Sequence, residues 1–297
     1  MDSQNYAQSL VSVIIPTHGG ARNVERLVHI AKQVALATEV IIVCAGLPPH
    51  AADSEYVWGA KVVPASEQAT ASECRAIGAQ HAQGNVLLFL EEGITLPLGS
   101  LKKYTAALLK GYDLVLSAGG RVLTTKGKLS SERCAYALLN HLLGQKQLGS
   151  ASLEKAPFAL NRKALEAIGQ HHLHVPAAAL VRAVQKALAI TLVTSGSTGQ
   201  AARKRSAANQ PLAKKQALIF QEHGEAIQLL LQDKDVRGAL PDGERHRILV
   251  QAPGLLHLRS VFYQESCEKE GDEWGAKRKE RPKRTRKRAQ SRKKRSH

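Results

Sequence analysis

The sequence predicts an α/β fold, a mostly parallel sheet flanked by helices. Three observations carry that reading. Short apolar runs recur at residues 11–15, 39–43, 85–90 and 113–116, the first of them rich in β-branched residues, each of strand length and apolar enough to be buried on both faces. Stretches with helical apolar spacing lie between them, at 23–37, 69–83 and 98–110. Gly84 and Gly111 follow two of these stretches at the position where helices stop. Strands alternating with helices imply parallel pairing through right-handed crossovers.

Val11-Ser12-Val13-Ile14-Ile15 reads as a strand ended by Pro16, and Glu39-Val40-Ile41-Ile42-Val43 as its neighbour. Residues 60–63 form a third, short strand. Residues 130–143 are a helix, 157–160 a strand and 162–168 a short helix stopped by Gly169. A helix over 177–189 leads to a strand at 190–193. Residues 194–210, rich in Ser, Gly and Ala, read as a mobile loop, and 211–232 as a long amphipathic helix. The organisation expected is an N-terminal tail (1–10), a first α/β half (11–116), a second half (117–200), a helical extension (201–267) and a disordered basic tail (268–297).

Composition narrows the function. Hydrophobic residues make up 43% of the 297, ordinary for a globular protein, but aromatics only 4%, which argues against a lectin-like or aromatic-platform binder. The net charge of +17 is uneven: from Lys277 to His297 there are thirteen Lys or Arg against the single acid Glu280, so this segment carries +12. It has no aromatic residue for base stacking, yet its charge suits an anionic polymer, nucleic acid or membrane surface, or serves only to solubilise. The four cysteines, Cys44, Cys74, Cys134 and Cys267, form no C-x-x-C pair and fit a reducing compartment better than a disulfide framework. No signal peptide or membrane span is expected. The expected location is cytoplasmic, with the tail available for peripheral attachment to an anionic surface.

In sheets of this kind ligands sit beyond the carboxyl ends of the strands, which directs attention to the loops after Pro16, Cys44 and Glu91. Those ends carry a pattern. Val11-Ser12-Val13-Ile14-Ile15-Pro16-Thr17 resembles the V-S-V-I-I-P-T-Y-N opening of family-2 glycosyltransferases. Residues 39–43 resemble the E-I-I-V-V that precedes their D-D-G-S. Arg75, Gly78, Ala82 and Gly84 match A-R-N-x-G-x-x-x-A-x-G, and Phe89-Leu90-Glu91-Glu92-Gly93-Ile94-Thr95-Leu96-Pro97 matches F-L-D-x-D-x-x-x-P in spacing. Pro157-Phe158-Ala159-Leu160-Asn161-Arg162 and residues 165–169 resemble the acceptor-side segment. The pieces occur in family order over residues 11–200.

The resemblance implies a GT-A (Rossmann-like) fold, a UDP- or GDP-linked nucleotide-sugar donor and a divalent metal, Mg²⁺ or Mn²⁺. It assigns Pro16, Thr17, Gly46, Arg75, Glu91 and Glu92 to the donor site, with Glu91 and Glu92 as the metal's carboxylates. The departures fall on the chemistry. D-D-G-S lands on Cys44-Ala45-Gly46-Leu47, so both aspartates are gone. The last acid of D-x-D, the usual metal ligand, is Gly93. The segment expected to carry the catalytic base, near Val175-Pro176, has no acid.

Each candidate has a plainer reading beside it. Glu91 and Glu92, adjacent on a strand end, point to opposite faces, so one at most looks into the cleft; both also suit solvated loop carboxylates. His171, His172 and His174 precede the expected base position and suit a base, a metal site or a polar loop. Arg203, Lys204 and Arg205 could neutralise a diphosphate without metal, or lie on a plain connector. Cys44 ends a strand in the cleft, where a small buried thiol is the commoner finding. Three functions remain open: a nucleotide-sugar transferase; a pseudoenzyme that keeps the fold and tethers itself to a polyanion through its tail; and a nucleic-acid-associated protein acting through that tail.

Overall fold

The computed structural model describes residues 10–18, 21–47, 56–93, 96–119, 130–194 and 212–233. The expected N-terminal tail up to residue 9, residues 195–210 with Arg203, Lys204 and Arg205, and everything beyond 233, including the basic tail, lie outside the described residues.

The strands are β1 (Val11–Thr17), β2 (Thr38–Ala45), β3 (Tyr56–Val57), β4 (Ala60–Ala65), β5 (Val86–Phe89), β6 (Leu114–Ser117), β7 (Phe158–Asn161) and β8 (Ile190–Val193). They form one sheet in the order β3-β4-β2-β1-β5-β7-β6-β8. β4, β2, β1 and β5 run parallel; β7 is antiparallel to both β5 and β6; β8 is parallel to β6. Because β7 lies between β5 and β6, the two halves read from the sequence share one sheet.

The helices are α1 (Ala21–Ala31), α2 (Ala71–His81), α3 (Leu98–Leu109), α4 (Ser131–Leu142), α5 (Arg162–Ile168), α6 (Pro176–Gln185) and α7 (Leu212–Asp233). Side-chain alternation divides the strands between two cores. Ile14, Ile41, Val43, Leu87, Phe89 and Leu114 pack with residues of α2 and α4 to α7. Val13, Ile15, Val40, Ile42, Leu88 and Val115 pack with residues of α1 and α3. A sheet covered on both faces is why its strands read as nearly continuous apolar runs.

Three differences from the sequence reading have physical causes. β1 continues through Pro16 to Thr17, one side of the ladder having ended: pairing with β5 stops at Ile14, so Pro16 has no N–H to supply there. α1 ends at Ala31, six residues early, and the chain turns there, leaving Leu36 wholly exposed. α2 starts at Ala71 because Thr70 and Glu73 form a reciprocal capping box, the Glu73 N–H donating to Thr70 Oγ1 (3.2 Å) and the Thr70 N–H to Glu73 Oε2 (2.6 Å).

Two polar nodes hold the opposite, amino-terminal edge of the sheet. Glu39 Oε1 accepts from Ser12 Oγ (2.5 Å) and from the N–H groups of Gln83 (2.6 Å) and Gly84 (3.1 Å). Gly84 lies so close to β1 that a Cβ there would sit 2.5 Å from the Leu10 carbonyl. On the other side Asp113 accepts from Asn161 Nδ2 (3.0 Å) and the Ala189 N–H (3.0 Å), with Lys163 Nζ at 3.7 Å. Burial pushes the Asp113 carboxyl up, but these donors outweigh it and hold the group below its ordinary value.

Candidate functional site

The order of the parallel strands reverses at β1, whose neighbours β2 and β5 are reached by chain leaving in opposite directions. The crevice beyond the carboxyl ends of β1 and β5 is therefore the place where such a sheet takes a ligand. Thr17, Cys44, Gly46, Glu91 and Glu92 all reach this edge. Thr17 and Cys44 are register partners. Gly46, exposed at φ +82°, follows β2 and donates its N–H to the Ala65 carbonyl at 3.0 Å. Pro16 lies within the buried part of β1.

Glu92 crosses the crevice. Its Oε2 accepts from Thr17 Oγ1 at 2.8 Å and from the His18 N–H at 3.2 Å, tying the loop after β5 to the end of β1. The His18 ring stands against the Ala69 carbonyl (Nε2 to O, 3.3 Å), next to the start of α2. Burial, and then the charge of Glu92, push the Cys44 thiol up, as they would any group whose anion faces a carboxylate.

Glu91 turns the other way. Its Oε2 lies 4.0 Å from Arg75 Nη2 on α2. Arg75 is 2% exposed. Its Nη1 donates to the carbonyls of Glu154 (3.2 Å) and Leu153 (3.5 Å), and its guanidinium sits 5.7 Å from the centre of the Phe158 ring. Phe158 in turn stacks on Phe89 at 4.5 Å. Arg75 therefore joins the end of β5 to the segment that enters β7. Its Nε is buried and has no hydrogen-bond partner.

A divalent cation of the Mg²⁺ or Mn²⁺ kind is held by about six oxygens, with one or two carboxylates facing the substrate. Here the two carboxylates diverge, Glu91 to Arg75 and Glu92 to Thr17 and His18. Gly93, in the place of the third acid, takes φ +87° and has open space where a side chain would project. No group of three His, Cys, Asp or Glu residues suited to a metal occurs among the described residues. This donor set does not fit a divalent ion held by the protein.

The three histidines are not brought to the crevice. They lie on the 3₁₀ turn Gln170–His174, which packs on α2. His171 shares a shallow groove with Gln80 and Glu166. Gln80 stands about ten residues along α2 from its Thr70 cap, roughly 15 Å of helical rise away from the crevice. The His171 and His172 rings are 3.9 Å apart, and His174 Nδ1 contacts the His171 carbonyl. Burial, then Arg182 and the two neighbouring histidines, lower the proton affinity of His172. The three cysteines among the described residues are free thiols.

Sequence reasoning passed over several polar groups on α2, α4 and α7. Ser72 Oγ donates to Glu154 Oε2 at 3.3 Å. Tyr136 on α4 is 2% exposed, with Lys155 Nζ 4.6 Å from its ring centre and the His223 ring at 5.2 Å. Glu222 on α7 is pushed up to about 7, first by burial and then by Glu154, Glu225 and Glu73. Tyr136 and Glu222 sit at helical spacing among core residues, which hides them in a periodicity reading; no motif marks them.

The sheet order, the strand-end crevice and the antiparallel β7 between β5 and β6 are those of the GT-A fold. Among solved structures, the chain is similar to glucosyl-3-phosphoglycerate synthase from Mycobacterium tuberculosis, in a complex with Mn²⁺, UDP and glucosyl-3-phosphoglycerate. The TM-score is 0.54 and the identity 19%, covering 81% of this chain and 84% of that one. The same enzyme bound to Mg²⁺ and UDP gives a TM-score of 0.53 at 19% identity, over 82% and 85% of the two chains. Mannosyl-3-phosphoglycerate synthase from Rubrobacter xylanophilus matches with a TM-score of 0.54 at 13% identity, over 82% of this chain and 80% of that one. No protein-family model and no curated protein sequence matches the chain. No helix among the described residues is long and apolar enough to cross a membrane.

Proposed function

We propose that the chain binds a UDP- or GDP-linked sugar in the crevice beyond β1, β2 and β5 and transfers the sugar to a hydroxyl acceptor. The observation that carries this is the convergence of Thr17, Cys44, Gly46, Glu91 and Glu92 on the switch point of a GT-A sheet. UDP or UDP-glucose is present in complexes of the similar mycobacterial enzyme. Pro16, Thr17 and Gly46 supply backbone for the nucleoside, Gly46 allowing close approach because it has no side chain. Glu91 and Glu92 frame the diphosphate end, with Arg75 fixing Glu91. The diphosphate's charge is met by cations rather than a resident metal, and Arg203, Lys204 and Arg205 are the ones this reading assigns.

A second reading, a pseudoenzyme that binds without transferring, is favoured by one observation: both crevice carboxylates are held by protein partners, and Gly93 leaves the third acid's space open. In either reading the charge of the basic segment 277–297 suits it to tether the chain to an anionic polymer, nucleic acid or membrane surface.

Calorimetric titration with UDP and GDP, with and without Mn²⁺, tests the donor site. Raised salt removes the tail's general attraction for phosphates. Micromolar binding of one nucleotide, similar with and without Mn²⁺, is expected. No binding of either by folded protein overturns the donor reading and leaves a tail-driven role.

A further inference from the structure

β4 runs parallel to β2, with Ala65 opposite Ala45, so the loop that leaves β4 stands on the same edge as the crevice. It turns at residues 66–69, where the Ala69 N–H donates to the Ser66 carbonyl (2.9 Å) and the Gln68 N–H to Ser66 Oγ (3.4 Å). This turn is tied to both neighbouring strand ends. The Gly46 N–H, after β2, donates to the Ala65 carbonyl at 3.0 Å. The His18 ring, after β1, stands 3.3 Å from the Ala69 carbonyl. The chain then runs through the Thr70 cap into α2. A loop held at 65, 69 and 70 presents the residues between those points in one place.

Glu67 occupies that place. Its Cγ lies 3.6 Å, and its Cα and Cβ 3.8 Å, from the point where a side chain on Gly46 would begin. The Glu67 stem therefore covers Gly46, and its carboxyl group, one bond beyond Cγ, stands at the end of β2. Glu67 is exposed and makes no hydrogen bond or ion pair among the described residues. The other carboxylates of this edge are taken: Glu91 faces Arg75, Glu92 accepts from Thr17 and His18, and Glu73 caps α2. Cys44 and Ala45, which end β2, carry no strong acceptor.

Along this edge the strands follow the order β5, β1, β2, β4. With the diphosphate framed by Glu91 and Glu92 after β5, the nucleoside extends over β1 towards β2 and β4. Three strand spacings, roughly 14 Å, separate β5 from β4. The opposite direction is closed, because β7 is antiparallel and begins at this edge with the buried Phe158. The base therefore comes to the Glu67 end. Resting on the donor reading above, we propose that the Glu67 carboxylate accepts the N1–H and N2–H of guanine, so that the donor is a GDP-linked sugar. Gly46, at φ +82° and without a side chain, leaves the purine room over the end of β2.

The choice of base follows from donor and acceptor count. A carboxylate offers two acceptor oxygens side by side and no donor. Guanine presents two donors side by side, N1–H and N2–H, and pairs with both oxygens; such charge-assisted, bidentate bonds are the strong ones. Uracil presents a single donor, N3–H, between two carbonyl oxygens, so the same carboxylate gains one bond and faces two acceptors. A bidentate contact of this kind discriminates between bases by about 5- to 150-fold. Because Glu67 is exposed and water competes for it, the lower part of that range applies. Recognition is made by the side chain alone, since the Gln68 and Ala69 N–H groups are taken within the turn.

The test titrates the full-length chain by calorimetry with GDP, UDP and inosine diphosphate, at raised salt to suppress the tail's attraction for phosphates. Inosine diphosphate is GDP without the 2-amino group, so it keeps N1–H and loses the second donor. GDP is expected to bind about 10-fold tighter than either of the others. Glu67→Gln replaces one acceptor oxygen by a donor and removes the charge. It should bring GDP down to the level of inosine diphosphate while UDP affinity is retained. Glu67 is exposed and unpaired, so the variant should unfold at the wild-type temperature, which separates lost recognition from lost folding. UDP or inosine diphosphate binding as tightly as GDP, or Glu67→Gln keeping the wild-type preference, overturns the proposal while leaving the donor reading standing. Absence of binding by all three nucleotides instead marks failure of the donor reading, and this inference falls with it.

Discussion

Replacing Arg75 by alanine tests the link between the donor crevice and the acceptor side. The side chain is buried, and it donates to two carbonyls, at 3.2 Å and 3.5 Å, in the segment that leads to β7. A hydrogen bond involving a charged group contributes about 1.5–3 kcal/mol. The 3.5 Å contact is at the weak end, and the 4.0 Å pair with Glu91, itself 30% exposed, adds little because solvent screens it. Loss of packing against Phe158 adds the truncation cost of a large side chain. The sum is about 3 kcal/mol, which in a domain of this size lowers Tm by roughly 6–12 °C. Thermal unfolding followed by circular dichroism reads it. Arg75→Met should recover part of the loss, because an apolar side chain of similar length fills the space without a buried charge. A fall in Tm of less than about 2 °C for Arg75→Ala would refute the argument that Arg75 anchors the 153–154 segment.

Other outcomes follow from the same geometry. Gly84→Ala places a Cβ 2.5 Å from the Leu10 carbonyl, which accepts from the Asn85 N–H, and from the Ser12 hydroxyl, which donates to Glu39; it should destabilise by about 3 kcal/mol or more in denaturant unfolding. Asp113 is held below its ordinary 3.8, so its contribution to stability is complete above that value and is lost as pH falls through the lower folded-state value; unfolding titrations of wild type and Asp113→Asn should converge in acid. Glu222 has the opposite sign. Its raised folded-state value means stability declines as pH rises from 4.5 to about 7, and Glu222→Gln should remove that slope. Burial and then the charge of Glu92 hold the Cys44 thiol up, and Glu92→Gln keeps an acceptor for Thr17 and His18 while removing the second of these causes; alkylation of Cys44, mapped by mass spectrometry, should be faster in the variant at pH 8.

Much of this architecture was legible because burial on both faces forces nearly continuous apolar runs into the strands. Val11, Ile14, Ile41 and Leu88 mark β1, β2 and β5 without ambiguity, and the boundaries of α3, α5 and β8 agree with the reading to within a residue. Strand direction was not legible: Phe158-Ala159-Leu160-Asn161 is four residues long and looks alike from either end, and only its pairing with β5 makes it antiparallel. Divergence of Glu91 and Glu92 followed from strand alternation, and their partners, Arg75 and Thr17, show it in space. The histidines illustrate the reverse. They are close in sequence to the place where a base was expected, but α5 begins at the amino-terminal edge, where Arg162 holds the carbonyls of Ala82 and Gly84, and the 3₁₀ turn that follows lies along α2. Tyr136 and Glu222 were invisible for a different reason: a helix face reports burial, and a polar group buried among apolar neighbours at helical spacing carries no mark of its own.

The central claim is that the crevice framed by Thr17, Gly46, Glu91 and Glu92 is the nucleotide site. Amide hydrogen exchange measured with and without saturating UDP or GDP tests it most directly, because it reports where a ligand acts as well as whether it binds. The account predicts slower exchange confined to peptides covering residues 11–18, 44–47 and 86–93, with the amino-terminal edge around Gly84 and Asp113 unchanged. Nucleotide binding that leaves those three segments unaltered and protects another part of the chain would contradict it.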